Sequence, residues 1–322
     1  MEPCSFNQLN QPTESYIKEI EVEMKIEDIH PNSRVLCILI LFDKRICTGG
    51  DGSICICSFD IKKKEWNRDI FEENIHYGYV SSLCQVKNNE LISCSVDSTI
   101  KIWKINNKTK NLRLITVLRN HKGFIFHVTS LTKNRVASCS SDSSVKIWDN
   151  NNNEIITTLH EGKGWIRSIL QLKNREILIT SNNSPSISFW NLISYERESI
   201  FNGYYAFRFS HMIELSNGNI ALSSKTEQYP IVIINTITYT IENIIYAKEN
   251  ESSLCNINNK SFIYIYFEKL IQVFNDKQLA IFKWITKKEL DGYRGIISMN
   301  EDNLFIVQNN CDGFSIIKII YG

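Results

Sequence analysis

Histidine, serine and aspartate recur along this chain at one spacing, and together they supply the side chains of a nucleophilic triad. His76, Ser93 and Asp97 form one set, and His121, Ser138 and Asp142 another. His30, His76 and His121 each precede an aspartate (Asp51, Asp97, Asp142) by 21 residues. Each also precedes the end of a common frame (Cys57, Trp103, Trp148) by 27. An enzyme does not need one triad several times over, whereas recurring buried polar groups need partners wherever they occur. The repetition therefore assigns these sets to internal hydrogen bonding and predicts a chain that is not an enzyme. His127 and His211 sit in alternating segments and read as strand-face side chains. No G-x-x-x-x-G-K-[ST], H-E-x-x-H or G-x-S-x-G pattern occurs, and Gly49-Gly50-Asp51-Gly52 reads as a hairpin turn. With no C-x-x-C pair and no histidine spaced to complete a zinc site, neither a metal nor a cofactor is expected, and no catalytic residue is assigned.

The elements that must position these side chains follow from the repeat. Leu91 to Trp103 and Val136 to Trp148 are nearly the same sentence at a shift of 45. The frame recurs at Ile46 to Cys57 and at Ile177 to Trp190, the latter with one extra residue in its turn. In weaker letters it ends at Ile234, Phe274 and Ile320 as well. Frame ends at 57, 103, 148, 190, 234, 274 and 320 are separated by 46, 45, 42, 44, 40 and 46 residues. Within each unit the letters alternate with period two and are rich in Ile, Val, Thr and aromatics, which predicts strands and almost no helix. Lys87-Asn88-Asn89, Thr132-Lys133-Asn134 and Ser216-Asn217-Gly218-Asn219 punctuate them with residues that tolerate tight hairpins.

Seven units of roughly 40–45 residues resemble the WD40 repeat. Trp148-Asp149 reproduces that family's closing pair, and His76, Ser93, Asp97 and Trp103, with His121, Ser138, Asp142 and Trp148, carry its fuller His…Ser/Thr…Asp…Trp mark. The resemblance implies that these four side chains hydrogen-bond within one blade. In the first repeat Cys57 replaces the Trp, with Thr48 at the hydroxyl position. In the fourth, His160 stands at the His position, Ile179 at the hydroxyl, and Asn183 or Ser184 at the Asp. Repeats five to seven lack the set. The implied fold is all-β, a seven-bladed β-propeller. Its ring is closed by an N-terminal strand over 17–27, where Ile20, Val22, Met24 and Ile26 alternate with Glu19, Glu21, Glu23 and Lys25, completing the last blade. Residues 1–15 are expected to form a flexible tail and 16–322 a single propeller.

The resemblance also places the segment after each His at the rim of the channel. The matching positions are Arg34, Tyr79, Phe124 and Trp165, with Lys122, Lys163 and Arg167 nearby. Tyr205 and Arg208 join them from the fifth blade, and Tyr293 and Arg294 from the seventh. Aromatics mixed with arginine have the composition of binding hot spots, although plugs between blades would use the same letters. The expected function is a non-catalytic scaffold holding a peptide or partner protein on this rim, monomeric outside its complex. The alternative is a small-molecule binder or enzyme that uses a central funnel.

Composition bounds the rest. Lys and Arg total 36 against 35 Asp and Glu, a formal net charge of +1, which argues against a nucleic-acid partner without fixing how the charge is distributed. No apolar run approaches the ~20 residues that span a bilayer, so no membrane partner is expected. The opening residues lack a secretory pattern, and the ten cysteines read as reduced, buried small hydrophobes. Both predict a reducing compartment, cytoplasmic or nuclear.

Overall fold

The structure is a computed structural model. It describes residues 17–26, 29–30, 34–60, 63, 65–87, 89–162, 164–182, 186–202, 209–224 and 231–245, and beyond these the strands named below, with side chains described within 29–244. Among the described residues there is no helix, hence none long and apolar enough to cross a membrane. The strands form four-stranded antiparallel sheets, an arrangement consistent with a β-propeller.

The first sheet comprises Cys37–Ile40, Ile46–Gly49, Ile54–Asp60 and Glu65–Glu72. The second comprises Val80–Lys87, Glu90–Ser95, Ile100–Asn106 and Asn111–Leu118. Ile125–Leu131, Arg135–Ser140, Ser144–Asp149 and Glu154–His160 make the third. Ile166–Gln171, Ile177–Asn182, Ser186–Asn191 and Arg197–Asn202 make the fourth. The fifth contains Phe209–Glu214, Ile220–Ser224, Ile231–Asn235 and Thr240–Ile245, and the sixth Ser252–Asn258, Ser261–Tyr266, Leu270–Asn275 and Ala280–Ile285. In the seventh, Gly295–Ser298, Leu304–Gln308 and Phe314–Tyr321 are joined by Ile17–Ile26, which pairs antiparallel with Phe314–Tyr321 from Ile17↔Tyr321 to Ile26↔Phe314.

The alternation seen in the letters has a packing cause. Ile92 and Cys94 of one strand face Val136 and Trp148 of the third sheet, while Leu91 beside them faces Cys47 and Ile54 of the first. The second, third and fourth sheets thus bury both faces between their neighbours, and a strand such as Glu90–Ser95 is buried along almost its whole length. Trp103, Trp148 and Trp190 each pack back onto the preceding sheet. The frame ends are also where the third and fourth strands slip register. Bulges lie between Ile56/Cys57, Ile102/Trp103, Ile147/Trp148, Phe189/Trp190, Ile233/Ile234 and Val273/Phe274. An extra residue there increases the local twist of the outermost strand, and the repeat persists in backbone geometry where its polar letters are lost.

The Ile17–Ile26 pairing supplies a test. Deleting residues 1–28 removes the partner of Phe314–Tyr321 and exposes a strand edge, which templates association. Light scattering and thermal melting should show aggregation or a lowered melting temperature for that deletion, and neither for deletion of 1–15. A soluble longer deletion with unchanged stability would make the pairing dispensable.

Candidate functional site

In the second repeat the Trp103 Nε1–H donates to Ser93 Oγ at 2.8 Å, and Ser93 Oγ lies 2.8 Å from His76 Nε2. His76 Nδ1 lies 2.8 Å from Asp97 Oδ2. A carboxylate only accepts, so Nδ1 carries the proton, Nε2 accepts the serine O–H, and every donor in the chain points the same way. The third repeat repeats it: Trp148 Nε1–H to Ser138 Oγ at 2.9 Å, Ser138 to His121 at 2.8 Å, and His121 to Asp142 at 2.8 Å.

Both carboxylates are saturated. Asp97 Oδ2 also accepts the Tyr77 N–H at 3.0 Å, and its Oδ1 accepts the Thr99 N–H at 2.9 Å and the Thr99 hydroxyl at 2.6 Å. Asp142 accepts the equivalent bonds from Lys122 N–H (2.9 Å), Ser144 N–H (3.0 Å) and the Ser144 hydroxyl (2.6 Å). Thr99 and Ser144 are members that the sequence reading missed; their signal is a hydroxyl two residues after each aspartate. Burial opposes ionisation of both aspartates, but the bonds from His76 and Thr99, and from His121 and Ser144, outweigh it and hold them below the usual carboxylate range. Burial lowers the His76 pKa against the pull of Asp97. With all four lone-pair sites filled, neither carboxylate has capacity left to take a proton from a substrate.

The first and fourth repeats depart from the expected residues. His30 Nδ1 meets Ser53 Oγ at 2.7 Å and its Nε2 meets Thr48 Oγ1 at 2.8 Å. Asp51, spaced like Asp97 and Asp142, is instead exposed and bridges to Tyr79. In the fourth repeat the histidine position is taken by Glu161, while His160 is exposed at the end of its strand. The hydroxyl there is Thr180 rather than Ile179, whose side chain goes to the apolar core. Trp190 Nε1–H donates to Glu161 Oε1 at 2.9 Å and lies 3.3 Å from Thr180 Oγ1; the Ser188 hydroxyl donates to Glu161 Oε2 at 2.6 Å, and Thr180 donates to Oε1. Thr180 keeps the ten-residue spacing to its Trp found in the second and third repeats, whereas Glu161 lies 19 residues before Thr180 where His76 and His121 lie 17 before their serines. Asn183 and Ser184 lie outside the described residues.

The family model for the WD domain, G-beta repeat, matches residues 70–104 and 112–149, the segments that hold the two complete networks. These two segments are WD40 repeats. Comparison with curated proteins finds no match.

Above each WD40 network the chain turns into the next sheet through a His-x-Gly-aromatic segment. A Cβ on Gly78 would come within 2.7 Å of the Val96 side chain, and one on Gly123 would strike the Ser141 hydroxyl. Only glycine allows so close an approach, and the next residue is thereby held outward. Tyr79 is 47% exposed, Phe124 51% and, before the first strand of the fourth sheet, Trp165 43%. Arg167, half-buried, lies over the Trp165 ring at 5.0 Å and over Phe126 at 4.4 Å, and those two rings are 5.9 Å apart. Arg34 and Lys122 are exposed. Lys163, Tyr205, Arg208, Tyr293 and Arg294 lie outside the described residues. Two neighbours of these positions were not expected: Tyr77, 97% exposed beside a pocket of about 380 Å³ that Tyr79 also lines, and Phe126, which packs partly against the core under Arg167. His127 accepts the Ile169 N–H through Nδ1 at 3.3 Å, tying the third sheet to the fourth. Among the described residues no cluster could hold a metal ion, and seven cysteines carry free thiols.

Two expectations follow for stability. Asp97→Ala or Asp142→Ala strands four donors and should lower unfolding free energy by roughly 1–3 kcal/mol; an unchanged urea midpoint would contradict the saturation described here. Acid should act earlier. Burial, with the Arg68 charge adding to it, moves His30 from its usual 6.5 down to about 4. A histidine with a lowered folded pKa stabilises the fold above its unfolded pKa and loses that contribution as pH falls through the window. The His30 contribution should therefore drop by about 2 kcal/mol between about pH 7 and pH 5. His76 adds in the same direction, and the aspartates follow only below their unfolded pKa near 4. Urea midpoints should fall across that range in the wild type and fall less in His30→Gln; equal pH slopes would exclude His30 as the source.

Proposed function

We propose that the chain is a non-catalytic scaffold that binds a peptide or partner protein on the aromatic and basic rim of the second to fourth sheets. The observation that carries this reading is the exposed Phe124 and Trp165 beside a preassembled stack in which Arg167 lies over Trp165 and Phe126. A cation held on two rings has already lost its rotamer freedom, so a partner can take contact area from it with little further ordering. Few such residues supply most of an interface's free energy. WD40 repeats in general mediate protein–protein interaction. The saturated carboxylates beneath the rim favour binding over catalysis.

The reading extends to the whole chain as one seven-bladed propeller over 16–322 with 1–15 as a tail. Its support is the unit spacing, the recurrent bulge at the frame ends and the Ile17–Ile26 pairing. We further propose a reducing compartment, which suits the buried free thiols, and a monomer outside the complex.

The test compares wild type with a Phe124→Ala, Trp165→Ala variant by affinity purification from native lysate and by thermal melting. Loss of co-purifying partners at an unchanged melting temperature is the expected result. Loss of binding only in step with loss of stability would return both residues to a packing role.

A further inference from the structure

The balanced net charge conceals an uneven distribution. Between Asp97 and Asp142, residues 98–141 contain nine Lys and Arg and no Asp or Glu. Much of this run builds the last two strands of the second sheet, where the register sets Lys104 directly opposite Arg113. Like charges facing each other across a ladder repel. Both residues are exposed, and neither has an ion-pair partner among the described residues. The nearby carboxylates take hydrogen bonds from other groups and keep their charge, and none lies within ion-pair distance of Lys104 or Arg113 among the described residues. Glu90, across from Lys104 on its other side, accepts the Asn150 amide at 3.1 Å. Glu72 accepts the Leu112 N–H at 3.1 Å, and Asp43 pairs with Arg45 at 2.7 Å.

Beside the repelling pair lies an open pocket of about 470 Å³ lined by Lys104, Lys108 and Arg113 together with Asn89, Asn106, Asn107 and the apolar Ile105, with the carbon stems of the long side chains forming much of its wall. Asn106 Oδ1 accepts the N–H groups of Lys108 at 3.1 Å and Thr109 at 3.2 Å, and Asn107 Oδ1 accepts from Arg45 at 2.8 Å. With those oxygens occupied, the two carboxamides have their NH₂ groups left to offer. The side chains here therefore present cations and N–H donors, with no carboxylate among the lining residues. A surface of that kind complements a ligand made of acceptors and carrying several negative charges.

We propose that this pocket binds a compact ligand bearing two or more phosphoryl groups. Arg113 would offer its planar fork to a pair of phosphoryl oxygens, with Lys104 and Lys108 as point charges on either side. Binding would cancel the repulsion that the bare sheet carries, and salt would weaken it. A soluble polyphosphorylated molecule and a phosphorylated lipid headgroup share this chemistry.

Calorimetric titration of the full chain with sodium tripolyphosphate at low salt tests the proposal. Wild type should bind saturably at one site; Lys104→Ser with Arg113→Ser, and separately Lys108→Glu on its exposed turn, should each weaken binding at least tenfold. Lys173→Ser, on the fourth sheet, should leave it unchanged. The unliganded double variant should melt at or above the wild-type temperature at low salt, because a repelling pair is gone. Sedimentation with phosphatidylcholine vesicles containing a bisphosphorylated lipid separates the sources: binding that tripolyphosphate displaces identifies the headgroup, and binding of tripolyphosphate alone identifies a soluble ligand. No saturable heat, equal affinity in the variants, or competition by poly-glutamate as strong as by tripolyphosphate would overturn the proposal. A double variant that melts lower would remove its premise.

Discussion

A carboxylate taken out of water needs its lone pairs filled, and at Asp97 and Asp142 one repeat fills all four. That requirement ties together parts of the chain that share little else. The histidine and the N–H after it arrive from the segment before the sheet, the serine from the second strand, the indole from the third, and the remaining N–H and hydroxyl from two residues beyond the aspartate. Because the strands alternate with period two, a slip of one residue would send Ser93 and Trp103 to opposite neighbours. The network therefore fixes register as well as satisfying polarity. It also fixes where the rim begins, since the N–H of Tyr77 or Lys122 is part of the same saturation.

The departures show that the constraint is donor and acceptor balance rather than particular letters. His30 keeps both ring nitrogens partnered with two hydroxyls and no carboxylate. Its lowered pKa follows, since nothing anionic in that set favours the imidazolium. Where the fourth repeat places Glu161, the charge moves to the other end of the network, and the indole donates to the carboxylate itself. Arg197, 3.9 Å from Glu161, balances a side chain that is only 1% exposed. Trp190 still packs on the preceding sheet, while Cys57, at the Trp position of the first repeat, is buried with Ile29, Ile46 and Cys55.

Period and spacing made the strands, the frame ends and the two complete networks legible, because those depend on local alternation and fixed intervals. The errors occur in the fourth repeat, where two inserted residues before the hydroxyl break the interval to the first network position while the ten residues from hydroxyl to Trp are kept. Glu161 and Thr180 each sit one place beyond His160 and Ile179, and alternation then decides which side chain faces the network. Ser53 was hidden for a different reason: Asp51 matches in spacing, but no letter reveals that a hydroxyl two residues on can do its work. Phe126 was unreadable as part of the stack because its role comes from Arg167 on the next sheet, a contact between strands 41 residues apart in sequence.

The two exposed regions differ in how the fold meets their polar demands, and that difference separates their chemistry. At the rim, the aspartates below are saturated and Arg167 is shared between two rings, so what remains for a partner is aromatic area with modest charge. Around Lys104 and Arg113 the sheet leaves like charges opposed, with no ion pair to either among the described residues. Natural sheets place opposite charges across a ladder because that placement stabilises them. Here Glu90 faces Lys104 on one side and Arg113 faces it on the other, and the proposed phosphoryl ligand would supply the negative charge that the second pairing lacks. The hydrogen-bonded interior permits this, since networks that hold register from within leave the exposed strand faces free to carry charges that do not help the fold.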